Sequence, residues 1–240
     1  MYIDIVSDTE SRQDSLSLNG GDILIHCGDA TRMGTPSELR EFLYWFGKQP
    51  YEYKIYVPGN RDRALDYLCD EQLYAPGTYK NMGEWRIAVI SRFLHEDVKR
   101  HILIDSYVKI KGLNIYGSPI TQCSKQNTIN TAFATTNISN IVKRFANIPK
   151  EMDIVITHTP VYGILDYIPN IGNVGNRELG EALLKVSPRV HVCGHIHPSY
   201  GYMFKNKTLH INAAMDKTSV LTHKVKTLYF NKLNNIIEIT

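Results

Sequence analysis

Apolar positions fall into short runs rich in β-branched residues, and two helical repeats lie between them. The runs are Tyr2–Val6, Asp22–His26, Tyr53–Val57, Arg86–Ile90, Asn114–Tyr116, Ile154–Thr157 and Arg189–Cys193. Near-continuous apolar strands are buried on both faces, which predicts sheets covered by other layers. Thr35, Pro36 and Glu38 form a capping-box pattern, and Leu39, Phe42, Leu43 and Phe46 follow at i, i+3, i+4, i+7. Asn176 opens a second helix with Leu179, Ala182, Leu183 and Val186 on one stripe, stopped by Pro188. A third, weaker helix is expected over Asn140 to Ala146. After Cys193 the pattern changes: Tyr200–Phe204, Thr208–Ile211, Lys224–Phe230 and Asn235–Ile239 read as antiparallel strands. The predicted fold class is α/β with a β-rich C-terminus. With no repeat or linker in the sequence, one domain over residues 1–240 is expected.

Composition narrows the function classes. Hydrophobic content of 43% and charged content of 21% over 240 residues exclude long disorder and fibrous architectures. No run approaches the roughly 18 apolar residues of a membrane span. The formal charge of +3 is mild and mixed in sign, so neither nucleic acid nor a membrane surface is expected as a partner. Cys27, Cys69, Cys123 and Cys193 show no C-x-x-C spacing, and Cys27 and Cys193 end apolar runs, as buried thiols do. Met1-Tyr2-Ile3-Asp4 lacks the basic and apolar regions of a secretory signal, so a reducing, cytoplasmic setting is expected. P-loop and dinucleotide motifs are missing.

The chemistry stands directly after the strands. Tyr2–Val6 runs into Asp8 and Glu10, Asp22–His26 into Gly28-Asp29, and Tyr53–Val57 into Gly59-Asn60-Arg61-Asp62. Ile154–Thr157 runs into His158, and Arg189–Cys193 into Gly194-His195-Ile196-His197. Functional groups gather outside the carboxyl ends of strands in α/β sheets, and glycine lets a ligand approach the backbone. An Asp after one strand is ordinarily a turn residue, but five such endings in one chain point to a shared site. His195 and His197, at i, i+2 in a strand-like segment, would place both imidazoles on one side. Mixed carboxylate, amide and imidazole donors suit Mn, Fe or Zn. Two cations sharing one aspartate would suit in-line displacement at phosphorus.

Asp8, Gly28-Asp29, Gly59-Asn60, His158 and Gly194-His195-Ile196-His197 resemble the ordered signature of calcineurin-like metallophosphoesterases. Asp22-Ile23-Leu24-Ile25-His26-Cys27, Ile115-Tyr116-Gly117-Ser118-Pro119 and Ile211-Asn212-Ala213 are similar to the subgroup of metallophosphoesterase-domain-containing proteins. The resemblance covers nearly the whole chain, apart from residues 122–136. It implies a four-layer α-β-β-α sandwich of two mixed sheets flanked by helices. It also implies two divalent cations, manganese first, with iron, zinc or magnesium as alternatives. Asp8, Asp29 and His197 would hold the first and Asp29, Asn60, His158 and His195 the second, with a bridging hydroxide as nucleophile. The expected substrate is a small phosphodiester or nucleotide, with cyclic nucleotides suggested by the subgroup.

Two positions depart from the family pattern. Glu10 stands where the family has histidine, as a replacement ligand or as a residue turned to solvent; ligation would favour Mn or Mg. Arg61 stands where the family has a general-acid histidine, and with Asp62 it is assigned to the catalytic positions. A guanidinium can grip phosphate but cannot donate a proton, so poor leaving groups should react slowly. Alternatively Arg61 only pairs with Asp62 in a degenerate site that binds a nucleotide or protein. A metal-dependent nuclease is the third reading.

Overall fold

The computed structural model of the chain describes residues 1–66, 90–91, 93, 99–123, 131–216, 223–231 and 236–239. In chain order, β1 (Tyr2–Val6), β2 (Ile23–His26), α1 (Pro36–Lys48) and β3 (Tyr53–Tyr56) come first. They are followed by β4 (Arg100–Ile102), β5 (Ser106–Ile110) and β6 (Leu113–Ser118). A short ribbon of β7 (Thr121–Gln122) and β8 (Ala134–Thr135) precedes α2 (Ile138–Ala146) and β9 (Ile154–Thr157). A second ribbon, β10 (Tyr167–Ile168) with β11 (Gly172–Asn173), precedes α3 (Arg177–Val186) and β12 (Val190–Cys193). The chain ends in β13 (Gly201–Lys205), β14 (Thr208–Asn212), β15 (Lys226–Asn231) and β16 (Ile236–Ile239).

Two six-stranded sheets result, ordered β16-β15-β1-β2-β3-β4 and β13-β14-β12-β9-β6-β5. β1, β2 and β3 run parallel, as do β9 and β12, and β15 joins β1 antiparallel, so both sheets are mixed. Ile3, Ile5, Ile25 and Ile55 of the first sheet meet Ile115, Ile156, Val192 and Ile211 of the second in the central core. On the outer face of the first sheet, Leu39, Phe42, Leu43 and Phe46 of α1 pack on Leu24 and Tyr56. On that of the second, Ile141 and Phe145 of α2 and Leu179 and Leu183 of α3 pack on Tyr116 and Val155. The architecture is therefore the expected α-β-β-α sandwich, each of these side chains contributing roughly 1.5–3 kcal/mol on burial.

Helix starts follow the sequence signals. Thr35 and Glu38 close a reciprocal capping box, and Asn176 accepts the Leu179 N–H at 2.7 Å. α2 starts two residues earlier than expected, because Asn137 caps it by accepting from Ser139 and Asn140. The strand expected at Arg86–Ile90 lies, apart from Ile90, outside the described residues, as does Cys69. Six of the described strands escaped the pattern: the two-residue β7, β8, β10 and β11, too short to show a period, and the longer β4 and β5. The last two lie on sheet edges, where half-buried or exposed residues such as Tyr107 and Lys109 break the apolar run. No helix among the described residues is long and apolar enough to cross a membrane.

Under the second sheet lies a buried histidine pair. The Thr157 hydroxyl donates to Thr159 O at 2.6 Å, so His191 donates to Thr157 through Nε2. His191 Nδ1 then accepts from His210 Nδ1 at 3.1 Å. Burial pushes His210 down to about 4 and His191 well below its ordinary value. Both are neutral in the fold, whereas unfolded histidine takes up a proton below about 6.5. Their contribution to stability is therefore full above that pH and is lost as pH falls toward 4. Denaturant midpoints between pH 7.5 and 4.5 should fall with acid, more shallowly in His210→Leu; equal slopes would show that the pair titrates normally.

Candidate metal centre

The parallel strands β1, β2 and β3 release their loops at one sheet edge, and β9 and β12 release theirs at the facing edge of the second sheet. These loops are laced together. Asp8 N–H donates to Gly28 O at 2.8 Å and Glu10 N–H to Asp29 O at 2.9 Å. Arg61 N–H donates to Asp29 Oδ1 at 2.7 Å, and His195 N–H to Asp8 Oδ2 at 2.9 Å. Asp8, Glu10, Asp29 and His195 all adopt left-handed φ, between 45° and 68°. Such conformations cost of order 1–3 kcal/mol each and persist where the surroundings enforce them, most often at functional sites.

One cluster surrounds His158 Nε2: Asn60 Oδ1 at 2.9 Å, His195 Nδ1 at 3.1 Å and Asp29 Oδ1 at 3.3 Å. His158 Nδ1–H donates to Cys27 O at 2.9 Å, which fixes the ring and leaves Nε2 directed at the other three. Donor atoms about 2.0–2.2 Å from one cation lie roughly 3–3.5 Å apart, close to the three contacts of His158 Nε2, and the Asp29, His158 and His195 donors all lie within 4.8 Å of one another. Burial pushes the His158 imidazole down, but the Asp29 carboxylate against it outweighs this and raises it. Asp29, although buried, is held low by the same contact. The pocket therefore demands positive charge.

A second cluster adjoins it. Asp8 Oδ1 and Glu10 Oε1 are buried without a hydrogen-bond partner, an expensive state for carboxylate oxygens. His197 Nε2 lies 3.6 Å from the first and 4.0 Å from the second. Its Nδ1 is spoken for by Met215 O, so Nε2 is the free nitrogen. Burial, with the like charge of Asp29, raises Asp8, the burden a cation would relieve. Two orphaned oxygens facing one imidazole nitrogen fit a hard divalent ion. Asp29 lies between the clusters, its Oδ1 against His158 and its Oδ2 against Arg61, which also meets Glu10.

The structure decides between two pairs of open alternatives and corrects one inference. Glu10 is turned inward, its side chain only 12% exposed, rather than toward solvent. Arg61 pairs with Glu10 and Asp29, at 3.2 and 3.6 Å from Nε, and not with Asp62. The i, i+2 argument for His195 and His197 gives way to another geometry: His195 is left-handed and His197 opens a one-turn 3-10 helix, so the rings serve different clusters. Sequence reasoning also passed over the carbonyls of Cys27 and Met215, which have no side-chain signature, and the work of His26. The latter accepts Gly28 N–H at 3.3 Å and donates to Thr9 at 3.0 Å, bracing two of the site's loops from below.

Asp62 is buried, and its carboxylate is a clamp. It accepts Gly59 N–H at 2.6 Å, Thr31 N–H at 2.9 Å, the Thr31 hydroxyl at 2.8 Å and Ala30 N–H at 3.4 Å. Asp62→Ala strands buried donors worth about 1–3 kcal/mol apiece. Denaturant unfolding should show a loss of at least about 2 kcal/mol; a loss below about 0.5 kcal/mol would mean the loops hold without it.

The profile of the calcineurin-like phosphoesterase family matches residues 4–199. Metallophosphoesterase domain-containing protein 1 of Homo sapiens, and likewise that of Mus musculus, is 36% identical over 223 residues. The match covers 88% of this chain and 64% of each relative, so the chain spans less than two thirds of their length. Among solved structures, TT1561 of Thermus thermophilus superposes with a TM-score of 0.60 over 100% of this chain and 97% of that chain. At 11% identity that likeness is one of fold.

Proposed function

Because the chain belongs to the calcineurin-like phosphoesterase family, we propose that it is a metal-dependent hydrolase of small phosphodiesters, with manganese as the preferred ion. The observation that carries this reading is the convergence of seven side chains from five loops into two clusters joined by Asp29. Asp8, Glu10, Asp29 and His197 would hold one cation, and Asp29, Asn60, His158 and His195 the other. When bound, such a pair supplies an activated water and neutralises charge on phosphorus. Three carboxylates among hard oxygen and nitrogen donors favour manganese or magnesium over zinc.

The chain's own residues set the rest. Cys27 O and Met215 O hold the rings of His158 and His197 with their outward nitrogens free. Arg61, with a side chain 39% exposed, lies over Glu10 and Asp29 and can reach a phosphate oxygen. It has no proton to give to a leaving oxygen. General acid catalysis is typically worth 10²–10⁴-fold, so aryl esters and strained cyclic diesters should suffer least from its absence. Asp62 acts as a positioning residue beneath the site.

Hydrolysis of an aryl phosphodiester, 2′,3′- and 3′,5′-cyclic nucleotides and single-stranded DNA, with Mn or Mg added, tests the reading. Turnover of the small diesters, abolished by chelator, is the expected result. Nucleotide binding without turnover would replace it with a degenerate binding role, and cleavage of DNA with a nuclease.

A further inference from the structure

The two clusters differ in one respect that bears on how they fill. Three donors, from Asn60, His195 and Asp29, stand within 3.3 Å of His158 Nε2, already gathered. In the other cluster a positive charge is present beforehand. Arg61 Nε lies 3.2 Å from Glu10 Oε1 and 3.6 Å from Asp29 Oδ2, and that Glu10 oxygen is 4.0 Å from the His197 Nε2 that also faces Asp8. The Glu10 contact is an ion pair without hydrogen-bond alignment, since Glu10 Oε1 has no hydrogen-bond partner. Among the described residues, the remaining anchor of the guanidinium is a single bond from Nη1 to Arg32 O at 3.2 Å, on the exposed side.

We propose that Arg61 is a built-in competitor for the cation of the Asp8–Glu10–His197 cluster. It neutralises Glu10 and Asp29 while that cluster is empty and must yield them when the ion enters. This deepens the dinuclear reading above and rests on it. A guanidinium within a few ångströms of a divalent ion is repelled by it, and the carboxylates they would share cannot fully satisfy both. The cluster built on His158 therefore loads first and tightly, and the cluster under Arg61 loads second and exchanges readily. Because the guanidinium is half in solvent, an arriving phosphate can draw it off Glu10. Anion binding and filling of the weaker site then strengthen each other, by the same factor in each direction.

Manganese titration of the wild-type protein, Arg61→Gln and Glu10→Gln, followed by calorimetry and by the electron paramagnetic resonance of free ion, tests the proposal. The wild type should show a tight and a weak class. Arg61→Gln should tighten the weak class about tenfold, within the 5–150-fold usual for coupled sites. Glu10→Gln should remove the weak class and keep the tight one, which also shows that the variant is folded. Inorganic phosphate should tighten the weak class in the wild type and not in Arg61→Gln. Two classes unchanged or weakened in Arg61→Gln would overturn the competitor role while leaving the dinuclear reading intact; no manganese bound by any of the three would overturn the dinuclear reading itself.

Discussion

Asp29→Asn is expected to abolish metal-dependent hydrolysis while leaving the fold in place. The amide retains an oxygen to accept the Arg61 N–H, so the loop after β3 keeps its anchor. What disappears is the buried charge on which both clusters depend, including the one that keeps the His158 pocket electropositive in demand. Loss of an outer partner of a metal ligand typically costs 10–100-fold in affinity or activity, and loss of the shared ligand should exceed the upper figure. Metal content after dialysis and kcat/KM on an aryl phosphodiester are the measurements. A variant that keeps its metal and its turnover would remove Asp29 from the centre.

The second large effect needs only a methyl group. At Gly59 an added Cβ would lie 2.3 Å from both the amide nitrogen and Oδ1 of Asp29, and 2.7 Å from His158 Cε1. Its φ lies outside the left-handed region, so the problem is collision rather than backbone strain. The nearest atoms are a backbone nitrogen and two ligand groups, none of which can swing aside cheaply. Overpacking of this kind costs about 1–3 kcal/mol, and a displacement near 1 Å at a reacting centre can cost about 100-fold in rate. Gly59→Ala should therefore melt several degrees lower and lose manganese affinity together with activity. An unchanged melting temperature with full manganese occupancy would show that the loop has slack that its contacts do not suggest.

Most of the site was legible because its logic is local to each strand end. An apolar run followed by Gly-Asp, Gly-Asn or Gly-His announces both the strand and the place where its loop must approach a ligand, and Asp29, Asn60 and His195 conform. The helix starts at Thr35 and Asn176 were legible for a similar reason: the capping side chain lies within three residues of the N–H that it satisfies. What the chain did not disclose depends on distant partners. Whether Glu10 turns inward is decided by Asp29 O, which holds its N–H, and by Arg61, 51 positions along the chain. The edge strands β4 and β5 have polar residues breaking any apolar run and take their form from β3 and β6. The His195–His197 geometry was misjudged because a left-handed residue breaks the period of two that a strand imposes.

The hydrogen bond from His158 to Cys27 O has one further effect. It joins a loop of one sheet to a loop of the other, close to where Ser7 pairs with Ala214 across the same boundary. The candidate centre is thus also a seam, stitched from both halves of the sandwich and owned by neither. Any breathing motion that parts the halves opens this stitch before it disturbs either sheet, so on gradual warming activity should fade at temperatures where circular dichroism still reports an intact protein.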